Sequence, residues 1–180
     1  MAITPSAVEY DELVPQDVAV INLEGKVIEG NYEPSSEKDM HLECYKRRED
    51  IGAVVHTHSL YATILACLGQ NIPPVHYLIG FAGGSVKCVP YKLFGTKELA
   101  LAAVEGLGNN NAALLGNHGL LAVGPDLYYA FNVAEETEFV AEIYYKAKLF
   151  GDIRLLTEED MKKVMEKFKS YGKKAPIVSE

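Results

Sequence analysis

Two histidines one residue apart, His56 and His58, close an apolar run that begins at Ala53. On a β-strand, residues at this spacing project from the same face, which is what two imidazoles need in order to share one cation. The pair fits a second role as well, since core histidines can be satisfied by backbone groups. A third histidine, His118, stands between Asn117 and Gly119 just past another apolar run, where a small neighbour lets the chain turn and aim the ring into a cavity. Catalytic zinc takes three protein ligands and keeps one position open for water or substrate. His56, His58 and His118, three of the five histidines in the chain, would supply that set, although His118 alone also reads as a loop residue bonded within its turn. Pro34-Ser35-Ser36-Glu37 is the second group that can do chemistry. Two hydroxyls and backbone N–H donors at a helix start make an anion site. Glu37 there either complements the helix dipole or, placed near a metal, acts as a base toward a proton beside a carbonyl.

Other folds that use a His-x-His pair fit less well. Where a cupin places a Glu shortly after the pair, this chain has Ala62, Thr63 and Ile64. Amidohydrolase barrels need about 250 residues to close, against 180 here.

The elements that must position these residues follow from pattern. Val18–Asn22 and Lys26–Glu29 flank Leu23-Glu24-Gly25 as a β-hairpin. After Pro34 the period becomes helical from Glu37 to about Arg48, with Ser36 and Asp39 spaced as a capping box. Ala53–His58 reads as a buried strand, followed by a helix from Leu60 to Leu68 that stops at Gly69. Pro73-Pro74 forces a loop, Ser85–Tyr91 alternates as a strand, and Thr96 caps a helix that runs to Leu107. Two short apolar strands, Ala112–Gly116 and Leu120–Val123, bracket His118. The stretch from Asp126 to Phe150 is long, amphipathic and free of Pro, and a last helix starts at Thr157, whose partner in a capping box is Asp160. Helices and strands in this order predict an α/β sandwich, with a central, mostly antiparallel sheet flanked by helices, in one domain spanning 1–180.

Composition bounds the partners. The 180 residues carry 17 Lys and Arg against 25 Asp and Glu, a formal net charge of −8. No basic cluster interleaved with aromatics appears, so a nucleic-acid partner is excluded. No stretch reaches the roughly 18 apolar residues of a membrane helix, and the first residues carry acids where a signal peptide carries cations, which predicts a cytoplasmic protein. Cys44, Cys67 and Cys88 lie apart within apolar runs and read as buried free thiols in a reducing compartment.

Taken together, PSSE with His41 on the same helix, VVHTHS, IPPVHYLIGFAGG, YKLFGTKEL, LLGNHGLLAVG and KFKSYG resemble the class II aldolase/adducin family, over nearly the whole chain from Ile3 to Gly172. The resemblance implies that His56, His58 and His118 hold one Zn2+ per subunit. Glu37 would be both a resting ligand and the acid/base that moves the proton at C3 of dihydroxyacetone phosphate. Ser35 and Ser36, with Ser6 and Ala7, would bind the substrate phosphate. Tyr77 would protonate the aldehyde oxygen and Tyr171 would close over the site, both reaching a neighbouring subunit's centre in a homotetramer. The implied reaction is reversible cleavage of a sugar phosphate of the L-fuculose 1-phosphate type into dihydroxyacetone phosphate and an aldehyde such as lactaldehyde.

Two departures from the family pattern carry expectations of their own. The family's opening helix and Gly-Asn-x-Ser phosphate loop have no counterpart ahead of Ile3-Thr4-Pro5-Ser6, which predicts an incomplete phosphate pocket, and Ala7 stands where the family commonly has Gly. Within the same family, an L-ribulose-5-phosphate 4-epimerase would place Asp at position 37, and a non-catalytic adducin-like interaction module would have lost the metal residues.

Overall fold

The computed structural model of the chain describes residues 1–9 and 11–170. Strands β1 (Ala2–Ile3), β2 (Ala19–Ile21) and β3 (Val27–Glu29) form a small antiparallel sheet in that order. The expected hairpin is therefore present. Its turn is held by Asn22, whose Oδ1 accepts from the N–H groups of Glu24 and Lys26, and by Gly25 at φ +81, where a side chain is disfavoured.

Helix α1 (Lys38–Arg47), strand β4 (Ala53–Thr57) and helix α2 (Leu60–Cys67) follow. Then come β5 (Lys87–Val89), α3 (Lys97–Leu107), β6 (Ala112–Leu115), β7 (Gly119–Gly124), α4 (Leu127–Lys148) and α5 (Glu158–Phe168). The second sheet runs β4-β7-β6-β5. Its pairs are antiparallel except β5 with β6, which is parallel. The expected mostly antiparallel character holds, but the strands divide into two sheets, because pairing between distant segments leaves no local mark.

Alternation sorts the larger sheet's side chains into two cores. Val55, Leu114, Leu120 and Ala122 pack with Leu65 of α2 and Val133 and Val140 of α4. Val54, Ala113, Leu115, Leu121 and Val123 pack with Met40 and Cys44 of α1 and Leu99, Ala103 and Leu107 of α3. β6 and β7 are buried on both faces, which is why they read as unbroken apolar runs. Each Leu so buried contributes roughly 1.5–3 kcal/mol from removal of apolar area from water.

Thr96, Asp126 and Thr157 each accept a backbone N–H at the start of their helix, and Thr157 with Asp160 forms the expected box. The box expected at Ser36 and Asp39 does not form. Glu37 occupies the cap position of α1, and no side chain caps that end. Ser35 Oγ instead accepts from Glu37 N at 3.2 Å, and the Glu37 carboxylate turns away from the backbone. A 3-10 turn over Tyr77–Ala82, headed by His76, was not foreseen. Of the three free cysteines, Cys44 is buried as expected, but Cys67 is exposed and Cys88 half-buried. Cys67 is the last residue of α2. Among the described residues no helix is long and apolar enough to cross a membrane.

Candidate metal centre

His56 lies in β4, paired opposite Leu121 of β7, and the register puts it on the same face as Val54, toward α1. Its Nδ1 sits 2.9 Å from the Leu120 carbonyl. A carbonyl only accepts, so Nδ1 carries the proton and the Nε2 lone pair faces the interior of the site. That Nε2 lies 3.1 Å from His58 Nε2 and 3.0 Å from Glu37 Oε2.

His118 reaches the same point from the turn between β6 and β7. Asn117 takes the left-handed conformation, φ +52, one that Asn tolerates better than most residues. Gly116 and Gly119 are required by close approach: a Cβ at Gly116 would lie 2.6 Å from the Val89 carbonyl, and one at Gly119 2.4 Å from that of Thr57. His118 Nε2 is 3.4 Å from Glu37 Oε1. One ligand atom from each of Glu37, His56, His58 and His118 lies within 4.8 Å of the others, the one such group among the described residues.

The donor chemistry fits a divalent cation. Ligand atoms converge where Glu37, His56 and His118 are half-buried and His58 is exposed, and Glu37 Oε1 is buried without a hydrogen-bond partner among the described residues. Burying such an acceptor unpaired costs about 1–3 kcal/mol, a cost that a cation at this point removes. Burial alone pushes the Glu37 carboxyl up, but the facing rings of His118 and His56 outweigh it and hold it well below the usual carboxylate range. Burial, reinforced by His56 and His118, pushes His58 down against the opposing pull of Glu37, favouring the neutral ring that binds metal. His41, one turn along α1, is pushed down to about 4 by burial and then by His56, against Glu37.

Two clefts open from the cluster. One, ≈ 610 Å³, is lined by Ser35, Glu37, Val55, His56, Thr57, His58 and Phe131. The other, ≈ 400 Å³, is lined by Ser36, Glu37, His58, Tyr91, Phe94, Asn117 and His118. The loop at residues 4–7 lies against the serines: Ser35 N donates to the Thr4 carbonyl at 3.0 Å and Ser36 N to Ser6 Oγ at 3.3 Å. The N–H groups of Ser35, Ser36 and Glu37 are thus engaged within the chain, contrary to the expectation of free donors, and the Ser36 hydroxyl borders the second cleft. Ala7 takes φ +58, the conformation that favours the Gly expected there, at a cost of about 1–2 kcal/mol.

Tyr77 opens the 3-10 turn, its ring centroid 4.7 Å from that of His76 and 6.2 Å from that of Phe168. It lines neither cleft. Tyr171 lies outside the described residues. Tyr91, Phe94 and Asn117 sit inside the quoted YKLFGTKEL and LLGNHGLLAVG segments but were not singled out. Phe131 was missed because an apolar residue in a long amphipathic helix reads as core.

The geometry agrees with three comparisons. The sequence profile described as Class II Aldolase and Adducin N-terminal domain matches residues 1–145. The 5-deoxy-D-ribulose 1-phosphate aldolase of Bacillus thuringiensis serovar kurstaki is 54% identical over 172 residues, covering 96% of this chain and 81% of the relative. The L-fuculose phosphate aldolase of Escherichia coli K12 is 40% identical over 174 residues, covering 96% and 80%. A solved structure of L-fuculose 1-phosphate aldolase superimposes with a TM-score of 0.91 at 46% identity, covering 93% of this chain and 79% of that one.

Proposed function

Since the chain belongs to the class II aldolase and adducin N-terminal domain family, we propose that it is a zinc-dependent aldolase. Its substrate would be a deoxyketose 1-phosphate, of the L-fuculose 1-phosphate or 5-deoxy-D-ribulose 1-phosphate type. Both cleave between C3 and C4 to dihydroxyacetone phosphate and a short aldehyde ending in a methyl group, lactaldehyde from the first and acetaldehyde from the second. The observation that carries this reading is the convergence of Glu37, His56, His58 and His118 with one carboxylate oxygen unpartnered.

In the cleavage direction the C4 hydroxyl loses its proton, C3–C4 breaks, and its electron pair moves onto the three-carbon fragment, which then takes a proton at C3. Bound at this cluster, zinc supplies Lewis acidity to the ketone and its neighbouring hydroxyl. The three imidazoles hold that ion, while Glu37 carries the proton to and from C3. Ser35 and Ser36, beside Ser6 and Ala7, bind the phosphate. Tyr77 exchanges the proton with the aldehyde oxygen, and Tyr171 closes the site.

Because Tyr77 lines neither cleft of its own chain, the reading includes a homotetramer in which it reaches a neighbour's centre. The exposed apolar side chains of α4, among them Leu127, Tyr128 and Phe139, offer surface for that contact. The 54% identity to the 5-deoxy-D-ribulose 1-phosphate aldolase favours the shorter substrate. The enzyme would work in the cytoplasm.

The test is release of dihydroxyacetone phosphate from both sugar phosphates. Cleavage is expected to stop on chelation and return with zinc. Full activity in a strong chelator would sink the metal mechanism, and the ratio of kcat/KM for the two substrates decides between them.

A further inference from the structure

His56 and His118 are each fixed by their surroundings, His56 by strand pairing and its Leu120 bond, His118 by a glycine-flanked turn. His58 has neither support. It falls in the gap between the last residue of β4, Thr57, and the first of α2, Leu60. Its place depends on how α2 begins.

Ser59 holds the cap position of α2, yet its side chain caps nothing. Its hydroxyl instead accepts from Thr57 Oγ1 at 3.3 Å. The two N–H groups that a capping serine would take belong to Tyr61 and Ala62. They donate to the two oxygens of Glu138, at 2.7 and 2.8 Å, from the middle of α4. A carboxylate at a helix start makes strong, charge-assisted bonds. Here one carboxylate spans both donors and pins the first turn of α2 to the longest helix of the fold.

We infer that Glu138 is a positioning residue of the metal centre: by clamping the first turn of α2 it sets the 57–60 segment and hence the ring of His58. Glu138 does not line either cleft at the cluster. Its effect passes through three residues of backbone. The inference rests on the proposed metal site.

The test uses the full chain with cobalt(II) in place of zinc, reading the ligand-field spectrum and the dissociation constant by chelator competition. The variants are Glu138→Ala and the near-isosteric Glu138→Gln, which keeps one acceptor. Leu65→Val, in the core of α2, serves as a control matched for loss of Tm. Loss of an outer partner of a metal ligand typically weakens binding about 10–100-fold. Glu138→Ala is expected to weaken cobalt binding by about tenfold or more and to shift the spectrum. Glu138→Gln should fall between it and the parent, and Leu65→Val should match the parent. If Glu138→Ala does not fold, Glu138→Gln decides alone. Parent-like affinity and spectrum in Glu138→Gln, or equal weakening in Leu65→Val, overturns the inference. A parent protein that binds no cobalt overturns the metal reading instead, a separate outcome.

Discussion

Glu37 sits where a helix ordinarily spends a side chain on its own first turn, and it spends that side chain on two histidines instead. The local cost is an uncapped end, typically about 1 kcal/mol, partly offset by Ser35 Oγ on the Glu37 N–H. The gain is a carboxylate with one oxygen 3.0 Å from His56 Nε2 and the other 3.4 Å from His118 Nε2 without a hydrogen bond, so a single group can face both a cation and a substrate proton. These two duties separate in Glu37→Gln. The three imidazoles remain, so metal content by atomic absorption should stay near one per chain. Deuterium exchange at C3 of dihydroxyacetone phosphate, followed by NMR, should fall by about 10²–10⁴, the range for loss of a positioned base. Parent-like exchange in a metal-loaded variant would remove Glu37 from the proton transfer.

At the scale of elements, the site depends on backbones meeting more closely than side chains allow. Gly119 starts β7 beside the end of β4, and a Cβ there would stand 2.4 Å from the Thr57 carbonyl and 2.9 Å from His58 Cδ2. Gly119→Ala must therefore push β4 and β7 apart at the strand end that bears two of the imidazoles. We expect a loss of about 1–3 kcal/mol, the usual cost of overpacking, seen as a lower urea midpoint, together with weaker metal binding. An unchanged midpoint would show that the strands part freely. This dependence also marks what the sequence could and could not disclose. His56 and His58 were legible because residues two apart at a strand end project to one side, although β4 itself stops at Thr57, and Thr96 and Thr157 because caps act within three residues. The union of Glu37 with that pair, the split into two sheets and the Glu138 clamp all rest on contacts between segments far apart in the chain. Their residue types are ordinary, and nothing local distinguishes Glu138 from Glu135 or Glu142. The three-residue capping rule failed at Ser36 because a neighbouring loop, through Ser6, claims that stretch of backbone.

Across the whole molecule, the four candidate ligands come from the head of α1, the end of β4 and the turn between β6 and β7. Glu37 stands well before the His56–His58 pair in the chain and His118 far after it, so an unfolded chain gathers no more than that pair. A cation held by all four therefore binds the folded state far better than the unfolded one and must stabilise it by linkage. With free zinc at a thousand times its dissociation constant the linkage is about 4 kcal/mol. For a chain of this size, 1 kcal/mol moves Tm by about 2–4 °C, so zinc-loaded protein should melt on the order of 10 °C above protein stripped by a chelator. The difference should shrink as pH falls, because carboxylate and imidazole ligands bind a cation only in their deprotonated forms, so metal binding competes with protons. Scanning calorimetry of both forms at neutral pH and at about pH 5, with His118→Ala as a third sample, tests this. His118→Ala should lose most of the difference, and a parent protein with the same Tm in zinc and in chelator would show that the cluster does not hold the ion in the folded state.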